Sequence, residues 1–259
     1  MQKHSTVEVL GCSGSIGIPG QGTTSFLLDQ DILIDAGTGV CALPFERLEA
    51  IEHVFLTHSH LDHICSLPLL VDTVGVSRAS ALKVYGLEHT INALKSHIFN
   101  NCIWPDFTKI PNEKTPVLEY QVIKSGTICD LGKRRLQFVE VTHTVPALGV
   151  LLTTPTGTWA FSGDTHQTVN FYHHVNQLAK LDYFFIESAF PDKEKWLADL
   201  AKHLCPQLLF EELNKLQHPC QVWVSHLKPR EYELIASELK GPNATHQLGI
   251  LSAGQVFHI

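Results

Sequence analysis

The chain has 259 residues, 44% of them hydrophobic, with 19 basic side chains against 26 acidic ones and a net charge of −7. Its ordinary apolar fraction and 17% charged residues exclude a disordered chain, a collagen and a coiled coil, and its length allows one large domain with a full core. An acidic chain whose densest basic cluster is Lys133-Arg134-Arg135 lacks the basic face that bulk nucleic-acid binding requires.

The uncharged apolar run from Ile64 to Val71 contains Pro68 and is far short of a membrane span. Met1 leads into Val7-Glu8-Val9-Leu10 without a signal-type apolar region, so a cytoplasmic location with no membrane partner is expected. The cysteines at 12, 41, 65, 102, 129, 205 and 220 are scattered and never form C-x-x-C, which argues against a disulfide framework or a thiolate zinc site. Histidine is the outlier, at 16 of 259 residues.

In chain order, strands are expected at Val7–Leu10, Phe26–Leu28 and Ile32–Asp35, with a Gly-rich loop over Gly11–Gly22 and a turn at Ala36-Gly37-Thr38-Gly39. The strand His53–Thr57 runs into His58, and a helix is expected from Ile64 to Val76, so a strand-to-helix junction falls at 57–64. Leu82–Tyr85 reads as a strand and Glu88–Phe99 as a helix. The Pro-punctuated segment 104–116, with Trp104 and Phe107 read as packing residues, then joins two halves.

Strands follow near Val117–Ile123, Leu136–Val141, Gly149–Thr153 and Thr158–Phe161. Next come a helix over Thr168–Lys180, the strand Tyr183–Ile186, helices at Lys193–His203 and Pro206–Leu216, the strand Gln221–Val224, a helix over Glu231–Leu239 and a strand pair near 248–258. Strand-rich and then helix-alternating stretches in each half predict two packed sheets with helices outside, a four-layer α/β sandwich.

The sharpest motif is His58-Ser59-His60-Leu61-Asp62-His63. At this composition H-x-H-x-D-H should arise by chance in roughly three per thousand such chains. Side chains two apart on an extended segment point the same way, so His58 and His60 can grip one ion, while Asp62 and His63, past the bend into a helix, face a second. Nitrogen and carboxylate donors without thiolate favour zinc, with manganese or iron as alternatives. His143, Asp164 and His226 each follow a predicted strand. Singly such residues are more often caps or turn residues, but together, after this motif, they complete a donor set.

These residues resemble the metallo-β-lactamase-fold hydrolases, and within them the class II 3′,5′-cyclic-nucleotide phosphodiesterases. The resemblance rests on LGCSG at 10–14, TSF at 24–26, ILIDAGTG at 32–39, HSHLDHI at 58–64, HTVP at 143–146, SGDT at 162–165, IESAFP at 186–191, HLCP at 203–206 and SHLKP at 225–229. It implies a single αββα domain over 1–259. It also implies one divalent ion on His58, His60 and His143, a second on Asp62, His63 and His226, and Asp164 between them.

The implied activity is hydrolysis of cyclic AMP or cyclic GMP to 5′-nucleotides. Paired ions under about 4 Å apart would make the in-line nucleophile from water, with Asp62 and Asp164 orienting it. Glu187 and His203 match a proton-donor pair of related tRNA 3′-processing endonucleases, and Ser66-Leu67-Pro68 also resembles those enzymes.

A small anionic phosphodiester substrate is expected, and a homodimer is what the relatives imply. A tRNA 3′-end endonuclease is the rival activity, although the sparse cations between Ile64 and Thr142 disfavour the long RNA contact it needs. A non-catalytic metal- or nucleotide-binding module of the same fold is the rival of another class. The Gly11–Gly22 loop lacks G-K-[ST] and leads into a strand, so it reads as a tight turn near the site rather than a phosphate cradle. Lys228 and Arg230 read either as phosphate contacts or as solvated loop cations.

Overall fold

The computed structural model describes residues 4–75, 78–240 and 247–259. The first half contains β1 (Thr6–Ser13), β2 (Gly22–Thr23), β3 (Ser25–Leu28), β4 (Ile32–Ile34), α1 (Phe45–Glu49), β5 (His53–Phe55), α2 (Leu61–Ile64), α3 (Leu67–Val74), β6 (Leu82–Gly86), α4 (Glu88–Ala93) and β7 (Leu118–Val122). The remainder contains β8 (Ile128–Leu131), β9 (Arg134–Val141), β10 (Ala147–Thr153), β11 (Thr158–Phe161), α5 (Asn170–Val175), β12 (Tyr183–Glu187), α6 (Lys195–Ala201), α7 (Pro206–Leu213), β13 (Gln221–Ser225), α8 (Tyr232–Glu238), β14 (Gln247–Ile250) and β15 (Val256–His258). Among the described residues no helix is long and apolar enough to cross a membrane.

The strands form two sheets, ordered β15-β1-β3-β4-β5-β6-β7 with β2 beside β1, and β14-β13-β12-β11-β10-β9-β8. Period-2 alternation sorts their side chains into layers. Phe26, Ile32, Ile34 and Phe55 of the first sheet meet Phe138, Val150, Trp159, Phe161 and Phe185 of the second in a dry central core. The alternate residues Leu27, Leu33 and Val54 face outward against Leu67, Leu70 and Val71 of α3 and Ile91 of α4. On the far side, Ala160, Phe184, Ile186, Val222 and Val224 pack under Phe171, Leu208, Leu209 and Ile235 of α5, α7 and α8. Helix, sheet, sheet and helix therefore stack as expected, because the central strands β3, β4, β10, β11 and β12 are apolar on both faces.

Several elements differ from the sequence reading. The helix expected over Ile64–Val76 forms only as α3, from Leu67 with Pro68 in its first turn, and is separated at Cys65-Ser66 from the short α2 that ends at Ile64; its Val76 end lies outside the described residues. The helix expected over Glu88–Phe99 closes as a wider π turn over Leu94–Ile98. That expected over Thr168–Lys180 is confined to α5, and β8 has no counterpart in the reading because its burial is only intermittent. The two C-terminal strands pair with different partners: β14 extends the second sheet beside β13, whereas β15 crosses to β1.

Residues 104–116 lead to β7, which pairs in parallel with β6 at the edge of the first sheet, so the chain passes between sheets only after Val122. Phe107 is buried and Trp104 half-buried against the first outer core, consistent with packing.

Arg134 at the start of β9 ties the sheets together away from the site. Its guanidinium donates to Asp29 Oδ2 at 3.1 Å and to Asp31 Oδ2 at 2.7 Å across the β3–β4 turn. Burial opposes ionisation of Asp31, but the Arg134 hydrogen bonds and charge outweigh it and hold its pKa below the ordinary carboxylate range. Arg134→Ala should therefore lower stability by about 1–2 kcal/mol in urea unfolding at neutral pH. Because the Asp31 pKa is depressed, its contribution is present above the unfolded-state value near 3.9 and is lost as pH falls through the folded value. The difference between variant and wild type should persist down to about pH 4 and shrink below it as pH falls through the folded Asp31 value.

Candidate metal centre

Every predicted donor sits where a strand ends, on one rim of the sandwich. β5 delivers His58, His60, Asp62 and His63; β9 delivers His143; β11 delivers Asp164; β13 delivers His226. This is the carboxyl edge of the strands, where α/β sheets open their crevices. Backbone hydrogen bonds between the sheets close the rim: His226 N–H donates to Cys12 O at 2.6 Å and Leu148 N–H to Thr57 O at 3.0 Å. Gly14 lies so near that a Cβ there would fall 2.3 Å from the His226 carbonyl, which explains a glycine at this point of the loop. His226 itself adopts φ 65°, a left-handed backbone costly for a side-chain-bearing residue.

The seven residues form two clusters, each with ligand atoms within 4.8 Å of one another. His58, His60, His143 and Asp164 make one; Asp62, His63, His226 and the same Asp164 make the other. Outer partners set the ring orientations. The Thr57 hydroxyl donates to Asp35 Oδ2 at 2.8 Å and lies 3.0 Å from His58 Nδ1, so it accepts from that nitrogen and leaves His58 Nε2 without a proton. His63 Nδ1–H donates to Asp35 Oδ2 at 2.7 Å, and His143 Nδ1–H donates to the Lys202 carbonyl at 2.9 Å. Thr24 Oγ1 lies 3.3 Å from His226 Nδ1.

Inside this shell, ring nitrogens crowd around one carboxylate and one another. His63 Nε2 is 3.2 Å and His226 Nε2 3.3 Å from Asp164 Oδ2, while His143 Nε2 is 3.1 Å from His60 Nδ1. Nε2 of His58 and of His226 is buried with no hydrogen-bond partner. Buried lone pairs aimed at one another are costly unless a cation lies among them. Each imidazole nitrogen supported from behind by an oxygen is the usual outer arrangement of a metal-binding histidine. Orphaned nitrogens, tautomer control and a purely nitrogen and carboxylate donor set thus fit a pair of divalent metal ions.

Protonation reflects the same crowding. Burial works against charge on His63, yet Asp164 and Asp35 on either side raise its pKa well above the ordinary value. His58 and His226 are pushed well below it by burial, reinforced by neighbouring imidazoles.

Glu187 and His203, expected as a pair, are brought together. Glu187 is fully buried at the end of β12, and its Oε1 accepts from His203 Nδ1 at 2.7 Å and from Thr165 N–H at 2.8 Å. Burial lowers the His203 pKa, but the Glu187 charge and hydrogen bond outweigh it and raise it overall. The His203 ring stacks on His226 with centroids 5.1 Å apart and meets His143 edge-on at 4.9 Å.

Asp35, Thr57, Thr24 and the Lys202 carbonyl are the functional groups that motif reading left without a role. Asp35 stood in the ILIDAGTG run and carried a signal; a backbone carbonyl carries none. Lys228 resolves differently from either expectation, because its ammonium donates to the Gly14 carbonyl at 2.6 Å and fastens the Gly-rich loop beside His226. Arg230 is exposed next to Glu231.

Fold and site together define a metallo-β-lactamase-fold protein. The chain superposes over its full length on the Bacillus subtilis metallo-β-lactamase fold protein YhfI, also over its full length, with TM-score 0.79 at 16% identity. It superposes likewise on unliganded yeast PDE1 over 100% of both chains, with TM-score 0.83 at 20% identity.

More particularly, residues 44–146, which contain five of the seven donors, match the family described as class-II cAMP phosphodiesterases. The chain is 27% identical to the probable 3′,5′-cyclic-nucleotide phosphodiesterase of Yersinia pestis, over 92% of its own length and 84% of that protein's. Ribonuclease Z proteins also match at 26–30% identity, but over 55–60% of this chain and about half of their own lengths.

Purified protein should hold about two divalent ions per chain by elemental analysis. Asp164→Ala, which removes the donor common to both clusters, should leave well under one, whereas His143→Ala should lose only the ion of its own cluster. Equal loss in the two variants would contradict the shared role of Asp164.

Proposed function

We propose that the chain is a dinuclear metal-dependent phosphodiesterase that opens 3′,5′-cyclic nucleotides to 5′-nucleotides. The observation that carries this reading is the juxtaposition of two donor clusters, joined by Asp164, with the buried Glu187–His203 pair against their His143 and His226 rings. The names and sequences of the relatives support the same substrate class. Zinc is the preferred metal, since the donors are imidazole and carboxylate without thiolate.

When bound, two divalent ions supply a nucleophile from water and draw charge from the phosphoryl oxygens. The chain's own residues accomplish the rest. Asp62, partly exposed where Asp164 is buried, lies with its Oδ2 3.8 Å from His226 Nε2 and would orient the attacking water beside the second cluster. His203 donates Nδ1–H to Glu187, so its Nε2 is the atom that carries a proton toward the leaving ribose oxygen. Glu187 keeps that imidazole charged and, held also by Thr165 N–H and Leu204 N–H, keeps it aimed. The substrate is a small anionic phosphodiester. Lys228 is engaged by Gly14, and neutralising a phosphate falls to the metal cluster rather than to a basic arm.

The test compares cyclic AMP, cyclic GMP, bis(p-nitrophenyl) phosphate and a precursor tRNA side by side. Release of 5′-nucleotide from a cyclic substrate is expected, and cleavage of the tRNA alone would overturn the reading. His203→Ala should lower kcat about 10²–10⁴-fold with metal content unchanged, and Glu187→Gln should lower it less, in the same direction. Loss of metal from His203→Ala would make His203 a ligand rather than a proton donor.

A further inference from the structure

A groove of about 540 Å³ opens directly beside the metal cluster, between the loop that carries His143 and the loop that leads into α5. Its size falls within the roughly 300–1,000 Å³ of small-molecule sites. Thr142, Thr144 and Val145 line one wall and Thr168, Val169 and Asn170 the other. Thr144 Oγ1 lies 3.4 Å from His60 Nε2, so the groove and the cluster share an edge.

Both walls are anchored from behind. The buried Glu212 accepts from Thr168 N–H at 3.1 Å, and Lys215 donates to Thr168 O at 3.0 Å while pairing with Glu212. On the other wall Thr142 O accepts His166 N–H at 2.6 Å. On this clamped backbone Val169 is nonetheless 77% exposed, a large aliphatic side chain held into water at the mouth of a polar site. No lysine or arginine lines the groove, and its one carboxylate is Glu140. A lining of hydroxyls, one amide and the apolar Val145, Pro146 and Val169 does not suit a second phosphate. It suits a flat, uncharged heteroaromatic ring, which offers an apolar face to Val169 and polar edges to the threonines and Asn170.

The geometry points to this groove as the nucleobase subsite, with Val169 as the side chain against the ring face and Asn170 and Thr144 at its polar edge. This rests on the phosphodiesterase reading above and adds where its substrate's base lies. The phosphate would then sit on the metal cluster, and the base would extend along the His143 loop, away from the Gly11–Gly22 loop.

The test measures calorimetric binding of AMP and of ribose 5-phosphate, which lacks the base, to the metal-loaded protein and to Val169→Asp, Val169→Phe and Asn170→Ala, each checked for metal content. Wild type should bind AMP at least tenfold tighter than ribose 5-phosphate. Val169→Asp should erase most of that ratio, Asn170→Ala should reduce it, and Val169→Phe should preserve or raise it through ring stacking. Equal affinity of wild type for the two ligands, or equal weakening of both by Val169→Asp, overturns the subsite. Failure of the function reading is distinct: a retained base preference with no turnover of any cyclic nucleotide rejects the activity and keeps the subsite, whereas turnover without base preference rejects the subsite alone.

Discussion

A single buried carboxylate, Asp164, organises the molecule. Around it stand His58, His63 and His226, their Nε2 atoms 3.2–3.8 Å from its Oδ2, and beyond them His60 and His143 face each other nitrogen to nitrogen. Of these nitrogens, Nε2 of His58 and of His226 are buried without a hydrogen-bond partner, a costly arrangement for groups removed from water. A divalent cation held among them would turn the same geometry into coordination. The outer hydrogen bonds from Thr57, Asp35 and the Lys202 carbonyl matter because they fix which nitrogen is bare. Part of the cost of that arrangement is carried by the backbone, since Asp35, Lys202 and His226 all have positive φ.

The sandwich exists to hold this rim still. Aromatic side chains from both sheets, Phe26, Phe55, Phe138, Trp159, Phe161 and Phe185, lock the sheets face to face, so the strand ends cannot drift relative to one another. Loops then need only a few residues to bring donors from four strands to one point. Gly163, at φ 63° with a virtual Cβ 2.6 Å from the Leu148 carbonyl, shows how tightly the turn before Asp164 is pressed against β10. A closely fitted rim also accounts for the placement of Lys228 on the Gly14 carbonyl, where the cation holds the loop beside His226.

Local patterns were legible where the chemistry is local. H-x-H-x-D-H could be read because four donors lie within six residues, and the central strands could be read because burial on both faces leaves them as short continuous apolar runs between turn residues. Helix lengths were less legible, since Pro68 and the π turn after Ala93 interrupt patterns that look continuous by hydropathy. β8 escaped notice because a half-exposed strand at the sheet edge leaves only a weak pattern.

By itself, then, the sequence determined the four-layer architecture and the H-x-H-x-D-H cluster, because apolar runs and tight donor spacing are properties of neighbouring residues, whereas His143, Asp164 and His226 entered only by resemblance. Tertiary structure supplied the geometry: Asp164 in both clusters, Glu187 and His203 meeting at 2.7 Å as the resemblance implied, and, with no sign of it in the sequence, the Lys202 carbonyl orienting His143. It also decided that Lys228 is engaged and that Val169 is held out over a groove. Those facts depend on which strand ends the packed aromatic core brings together, and no spacing along the chain encodes a contact made across two sheets.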